Sequence, residues 1–401
     1  MTSFTALRSL TIVAACAVLA PFLAESLKRF RVPSIVVELL LGILIGPQLL
    51  HWADTDILTT LISEMGLVFL MFIAGFEVNL AEIKGRPILT ATAGWVGSAL
   101  LATAVVFGLF SVDLVDHRMV VGLALTTTAL TSLVPILRDA EVLKTPFGTD
   151  VMAVGTVGEF LPLVGVGLLL ASSDTARRSL LLIGFVVIAI TAAFLATLPK
   201  PPRLLAFLRR QFETSSQLPV RIAILLILSL MLLADSLSID LLLGSFTAGV
   251  VMRLLSPEVD RPALEVRLSA IGFGMFIPVF FVVSGMHLDV RDLFSSWSTA
   301  GRIPLFVIAL LVVRGIPTWW GARKTHTTRE RLALALFAAT GLSLIVAITT
   351  VGLATKTILP ANAAALVGAG MISMLFFPSI GLSLLEKRET KTDGAAPSPT
   401  P

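Results

Sequence analysis

The run GTVGEFLPLVGVGLLL at residues 155–170 carries one carboxylate, Glu159, in an otherwise uncharged stretch, with Pro162 three residues on. Arg314 stands in the same way about halfway along LFVIALLVVRGIPTWWG. An ionised group at the centre of a bilayer costs roughly 2.5–3.5 kcal/mol on insertion scales, so such groups pair with each other or line a wet cavity. The two charges have opposite signs, which suits a binding switch. Arg314 would act as counter-charge and neutralise Glu159 when the site is empty; an arriving proton or alkali cation would loosen the pair. The alternative is a structural salt bridge holding the bundle together.

A third polar feature supplies oxygen. Thr126, Thr127, Thr128, Thr131 and Ser132 precede Pro135, and Thr340, Gly341, Ser343, Thr349 and Thr350 form a second such stretch. Proline removes a backbone donor and strains a helix where it sits. Freed carbonyls and threonine hydroxyls are hard oxygen ligands, in kind those that hold hard cations. Each threonine could instead serve helix packing, bonding back to its own helix. Glu38, Glu77, Asp150 and Asp240 fall near the ends of apolar segments, where interfacial anchoring or gating is the expected role.

The elements that must position these groups are membrane helices. Hydrophobic residues make up 56% of the 401 and charged residues 14%, against about 25% charged in soluble domains; mean hydropathy is +0.95. Segments at about 8–25, 32–50, 57–80, 87–111, 119–137, 147–171, 179–198, 219–235, 239–255, 266–287, 303–322, 331–352 and 359–385 reach or approach the ~20 apolar residues a span needs. The fold class is all-α and polytopic, with about thirteen transmembrane helices over residues 1–386 and a disordered cytoplasmic tail at 387–401. Most of the 30 Lys and Arg residues fall in loops on one side of such an arrangement. Arg8, Arg118, Arg177, Arg178, Arg291, Arg302 and Lys356 stand on the other. By the positive-inside rule the N-terminus faces out and the C-terminus in. Lys28, Arg29 and Arg31 after the first segment favour a retained helix over a cleaved signal peptide.

Several function classes fall away. Cys16 is the single cysteine, so there is no intrachain disulfide or cysteine-rich metal site. His51, His117, His287 and His326 form no paired ligand motif, and no nucleophile–base arrangement is visible. An enzyme and a bound cofactor are therefore not expected. The net charge of +4 belongs to cytoplasmic loops rather than to nucleic-acid binding.

The two halves echo each other. ELLLGILIG at 38–46 aligns with DLLLGSFTAG at 240–249, and FLMFIAGFEVNL at 69–80 with VFFVVSGMHLDV at 279–290. TTTALTSLVPIL at 126–137 against ATGLSLIVAITT at 339–350, a weaker match, continues the order. Repeat one covers about 8–171, a linker helix 179–198, and repeat two 219–385. Corresponding spans lie seven apart, so they cross in opposite directions. Such inverted repeats mark secondary transporters with a mid-bilayer site on discontinuous helices.

RVPSIVVELLLGILIGP, GLVFLMFIAGFEVNL, TTTALTSLVPILRDAEVLKTPFG and PVFFVVSGMHLDV resemble the monovalent cation/proton antiporters, the Kef- and Nap-type sodium/hydrogen exchangers, over about 8–385. The resemblance implies thirteen helices, a homodimer in the inner (cytoplasmic) membrane of a prokaryote, and a core domain moving against a dimerisation domain. It also implies crossed, broken helices five and twelve beside an acidic residue on helix six, and a Lys or Arg on helix eleven, matched by Arg314. The family's usual pair of adjacent polar residues on helix six is here Gly158-Glu159. With one carboxylate, the implied activity is electroneutral exchange of Na⁺ or K⁺ for H⁺ by alternating access. Glu159 would bind cation and proton in turn, with Thr127 and Thr128 lining the site. A cation channel or efflux pathway, and an organic-anion carrier on a similar fold, are the alternatives.

Overall fold

In a computed structural model the described residues are 2–26, 32–78, 85–110, 118–169, 191, 217–236, 241–288 and 301–386. Among them every regular element is helical. In chain order they are α1 (Thr2–Ser26), α2 (Ser34–Ile45), α3 (Ile57–Glu77), α4 (Arg86–Phe110), α5 (Arg118–Leu125), α6 (Leu130–Asp139) and α7 (Pro146–Leu169). After the linker region come α8 (Leu218–Ser236), α9 (Leu241–Leu255), α10 (Arg261–Ile271), α11 (Ile277–Met286), α12 (Arg302–Leu310), α13 (Ile316–Gly321), α14 (Thr328–Ala338), α15 (Leu342–Ala354) and α16 (Pro360–Glu386). Single π-turns join α10 to α11 at Gly272–Phe276 and α12 to α13 at Leu311–Gly315.

Nine helical segments among the described residues are long and apolar enough to cross a membrane, and Ser34–Ile45, Met119–Val134 and Leu241–Leu255 are shorter apolar segments; Met119–Val134 and Thr328–Ala354 each contain an interruption. These coincide with the expected segments apart from the one at 179–198. That segment apart from residue 191, together with Asp240 and the tail at 387–401, lies outside the described residues.

The chain divides into two compact units. The first comprises Met1–Ser26, Val37–Asn79 and Leu163–Leu288. Its helices meet backbone to backbone. A Cβ on Gly42 or Gly285 would strike the carbonyls of Val282 and Leu39, where α2 meets α11; one on Gly75 or Gly249 would strike those of Phe246 and Phe72, where α3 meets α9. Only glycine allows this approach. The end of α3 is closed by Arg253, whose Nη1 donates to the Phe76 carbonyl at 2.7 Å.

The second unit comprises Leu27–Val36, Leu80–Pro162 and Asp289–Pro401. Leu133 and Leu137 of α6, Phe147, Val151 and Val154 of α7, Ala333 and Phe337 of α14, and Leu382 near the end of α16 form its core. Two helices are interrupted inside it. The first break, at 126–129, separates α5 from α6; the second, around Thr340 and Gly341, separates α14 from α15.

The breaks hold each other open. Thr128 N–H donates to the Gly158 carbonyl at 2.9 Å, and Ala129 N–H to the Thr340 carbonyl at 2.7 Å. The Ser132 and Ser343 hydroxyls, on the helices that leave the two breaks, are 2.6 Å apart. Backbone groups lost from the helix ladder thus find partners on neighbouring segments, as a low-dielectric interior requires. Gly341 is needed for this contact: a Cβ there would lie 2.8 Å from Thr127 Oγ1.

The location of the first break differs from the sequence expectation. Pro135 lies within α6 rather than at the interruption. The helix ends earlier because Thr128 and Ala129 spend their N–H groups on other segments; the carbonyl that Pro135 leaves without a helical donor is that of Thr131.

Candidate functional site

Glu159 lies on α7 beside the first break and is 1% exposed. Its Oε1 accepts from Thr131 Oγ1 at 3.2 Å, while Oε2 is buried without a hydrogen-bond partner. Three residues earlier, and so a close neighbour along the helix, the buried Thr156 hydroxyl is also unpartnered. Most buried threonines here bond back to their own helix, as Thr247 and Thr349 do. Two oxygens able to accept a proton or ligate a hard cation are therefore left without partners on one turn of α7.

Arg314 is also 1% exposed. It projects from the π-turn Leu311–Gly315, a one-residue bulge of the kind that re-aims a side chain out of a regular helix. Its Nη2 and Nε donate to Thr128 Oγ1 at 2.6 and 3.1 Å. Nη2 also reaches the Val154 carbonyl at 3.3 Å, and Nη1 reaches Ser98 Oγ at 3.4 Å. Thr128 Oγ1 in turn donates to the Ala338 carbonyl at 2.6 Å. The guanidinium is thus tied through one hydroxyl to the end of α14, at the second break.

The expected direct pairing of Glu159 with Arg314 does not occur. No hydrogen bond or ion pair joins them; each charge faces neutral oxygen instead. The reason lies at Gly158. A Cβ at this position would sit 2.5 Å from Arg314 Nη2 and 2.6 Å from Thr128 Oγ1. The guanidinium occupies the space that any side chain at 158 would take. Successive residues project about 100° apart on a helix, so Glu159 points away from the face that Arg314 occupies.

The other expected residues divide into two groups. Thr128, Thr131, Ser132, Gly341 and Ser343 come together at the two breaks. Thr126 and Thr127 instead donate to the carbonyls of Leu123 and Ala124, closing the end of α5; their oxygens keep lone pairs but no spare proton. Thr156, Ser98 and the carbonyls of Val154 and Ala338 were not foreseen. Thr156 could have been found from its spacing to Glu159. Nothing in the α4 sequence singles out Ser98.

A separate polar cluster lies in the turn before α14. His326 Nε2 meets Asp150 Oδ2 at 2.6 Å, and its Nδ1 lies 3.7 Å from Glu330 Oε2. Asp150, expected as an anchor or gate, thus fixes the start of α7 to the turn following Arg314's helix. Both residues with Arg86, Thr90, Thr149 and Val154 line a cavity of about 390 Å³. The hydrogen bond to Asp150 holds the imidazole pKa above its ordinary value, against the opposing effect of burial.

A raised folded-state value means that the charged imidazole stabilises the fold. That contribution is complete below the unfolded pKa of about 6.5 and is lost as pH rises through the folded value. The melting temperature is expected to fall over this window, and His326→Gln is expected to flatten the fall. Parallel slopes for the two proteins would contradict the assignment.

A buried carboxylate with one oxygen free of hydrogen bonds, set where two interrupted helices meet in an all-helical polytopic fold, is an arrangement of the kind that secondary ion transporters use. The chain belongs to the transmembrane sodium/hydrogen exchanger family, whose model matches residues 14–387. It is 27% identical to YjbQ of Bacillus subtilis over 97% of its own length and 64% of that protein's, so it spans less than two thirds of this relative. It is 26% identical to GerN of Bacillus cereus, named as an Na⁺/H⁺-K⁺ antiporter, over 74% of its length and 75% of GerN's. Its fold is that of the sodium proton antiporter MjNhaP1 from Methanocaldococcus jannaschii. There the TM-score is 0.65 and identity 18%, with 98% of this chain and 100% of the other covered.

Proposed function

We propose that the chain exchanges a monovalent alkali cation, Na⁺ or K⁺, for a proton across a membrane, with both competing for Glu159. The observation that carries this reading is the free Oε2 of a fully buried carboxylate beside two helix breaks that bond to each other. A proton on Oε2 leaves a neutral acid, which suits an apolar interior. When the proton leaves, the carboxylate oxygens, the Thr156 hydroxyl and nearby freed carbonyls can replace the water shell of a dehydrated alkali cation. Thr131 steadies Oε1 in either state. Arg314 contributes as a counter-charge through its field and as the brace that fixes Thr128, rather than by contact with Glu159.

The name of GerN, which carries both cations, supports keeping K⁺ beside Na⁺. With Gly158 beside it, Glu159 is the one carboxylate of the pair position, which supports electroneutral one-for-one exchange. Exchange in proteoliposomes is then expected to be unchanged by a membrane potential imposed while the pH gradient is held fixed. A rate that tracks the potential would contradict this stoichiometry.

The glycine contacts support reading the chain as an inverted repeat, about 8–171 and 219–385 around a linker at 179–198. If α2 corresponds to α9 and α3 to α10–α11, the glycine contact of α2 with α11 maps onto that of α9 with α3. The breaks at 126–129 and around Thr340 correspond in the same way. The accompanying expectations are a homodimer in the cytoplasmic membrane of a prokaryote, multi-pass, with the N-terminus outside.

The deciding experiment uses inside-out vesicles carrying a pH-sensitive dye, to which Na⁺, K⁺ and Li⁺ are added separately. At least one cation is expected to collapse the imposed pH gradient, and no organic anion should do so. Thr156→Val provides a second test. Removing an unpartnered buried hydroxyl without changing shape should leave stability equal or higher. The half-saturating cation concentration should rise by roughly 3–10-fold, the loss of one modest oxygen contact. An unchanged concentration would remove Thr156 from the site.

A further inference from the structure

Away from Glu159, the second unit holds a cluster whose one side-chain acceptor is already taken and whose other side-chain groups are hydrogen-bond donors and positive charge. Arg302 is the first residue of α12, and Asn362 lies in the first turn of α16. Arg302 Nη1 donates to Asn362 Oδ1 at 2.8 Å. This contact fixes the amide orientation, because the reversed amide would set one donor against another. The Asn362 Nδ2 donor is therefore turned away from that contact and has no acceptor, and Arg302 Nε likewise has none. Both atoms are closed to solvent, and Asn362 is 0% exposed.

The surroundings add further donors. Neither helix has an acidic residue in its first turn, and Arg302 makes no ion pair with a carboxylate among the described residues. Ala363 N–H is taken by the Leu359 carbonyl. The N–H groups of Ala361 and Asn362 precede the helix ladder, at the positive end of a 27-residue helix. The turn leading into that helix carries Lys356.

We propose that Arg302, Asn362 and the N-terminus of α16 bind a small monovalent inorganic anion, with chloride as the probe. An anion supplies both features the cluster lacks: an acceptor with several lone pairs and a charge opposite to the guanidinium. One guanidinium matches one negative charge. Donors this deeply buried favour the smallest anion, since a lipid phosphate held to its acyl chains would need a much larger opening to reach them. A bound anion would tie the start of Arg314's helix to the start of α16, independently of what Glu159 transports.

The test is thermal unfolding of the purified full-length protein in detergent, with sodium chloride replacing sodium gluconate at constant Na⁺ and ionic strength. The expected result is a saturable rise of a few degrees in melting temperature. Asn362→Asp keeps the shape and pairs with Arg302, so it should fold yet lose the chloride response. Arg302→Gln, which keeps donors but loses charge, should lose it too. Identical melting in the two anions, a rise that does not saturate, or a full response retained in either variant would overturn the site.

Discussion

Replacing Glu159 by glutamine is expected to abolish cation-driven proton movement, lowering it by ~10²-fold or more, the scale on which a positioned acid–base group contributes. The substitution keeps the size and shape of the side chain and can keep the contact from Thr131 Oγ1. It removes the two properties the site needs, a titratable oxygen and a negative charge. Because the amide is neutral, the protein should fold at least as stably as before; breaking a buried ion pair in contact is what destabilises, and no charged group hydrogen-bonds to Glu159. Loss of exchange with unchanged yield and melting temperature in the same preparation would therefore report chemistry rather than misfolding. Glu159→Asp restores a carboxylate but withdraws it by one methylene from Thr131. Partial activity with a weakened cation affinity is expected there. Substantial exchange by the glutamine variant in inside-out vesicles would move the site elsewhere.

Gly158→Ala is expected to be nearly as damaging, although it adds a single methyl group. That group would lie 2.5 Å from Arg314 Nη2, 2.6 Å from Thr128 Oγ1 and 2.8 Å from Thr128 Cβ. Neither neighbour can easily yield. Thr128 is held by its N–H to the Gly158 carbonyl and by its hydroxyl to the Ala338 carbonyl; the guanidinium is held by Thr128, Ser98 and Val154. Overpacking costs about 1–3 kcal/mol, and a displaced charged hydrogen bond about 1.5–3 more. Exchange should fall at least tenfold and the melting temperature by several degrees. Gly108→Ala is the control, since nothing lies within 4 Å of its added Cβ. It should be neutral or mildly stabilising. Equal behaviour of the two variants would show that Arg314 does not depend on the empty space at 158.

The sequence displays the site's components more clearly than their connections. Glu159 and Arg314 are legible because a charge within an apolar span is costly and so marks a functional or paired group. The apolar segments among the described residues and the polar threonine segment follow from hydropathy and local polarity. Pairing the two charges by sign alone fails, because direction around a helix decides contact. Gly158 presents one face of α7 to Arg314, and Glu159 presents another to Thr131. Pro135 is the visible local signal for a break, yet the helix continues through it. The break falls at 126–129 because the N–H groups there bond to Gly158 and Thr340, partners that only the tertiary fold supplies. Thr156 lay within reach of spacing alone. Ser98 did not, being one hydroxyl on a lipid-length helix until Arg314 meets it.

Competition between a proton and a cation at one carboxylate can be read without transport. Purified protein in weakly buffered detergent is titrated with sodium or potassium gluconate while a pH indicator is followed. Cation binding is expected to release protons saturably, approaching one per chain at a pH where the acid is protonated, and Glu159→Gln should release none. Cation binding without proton release, or release that survives in the glutamine variant, would contradict exchange at Glu159.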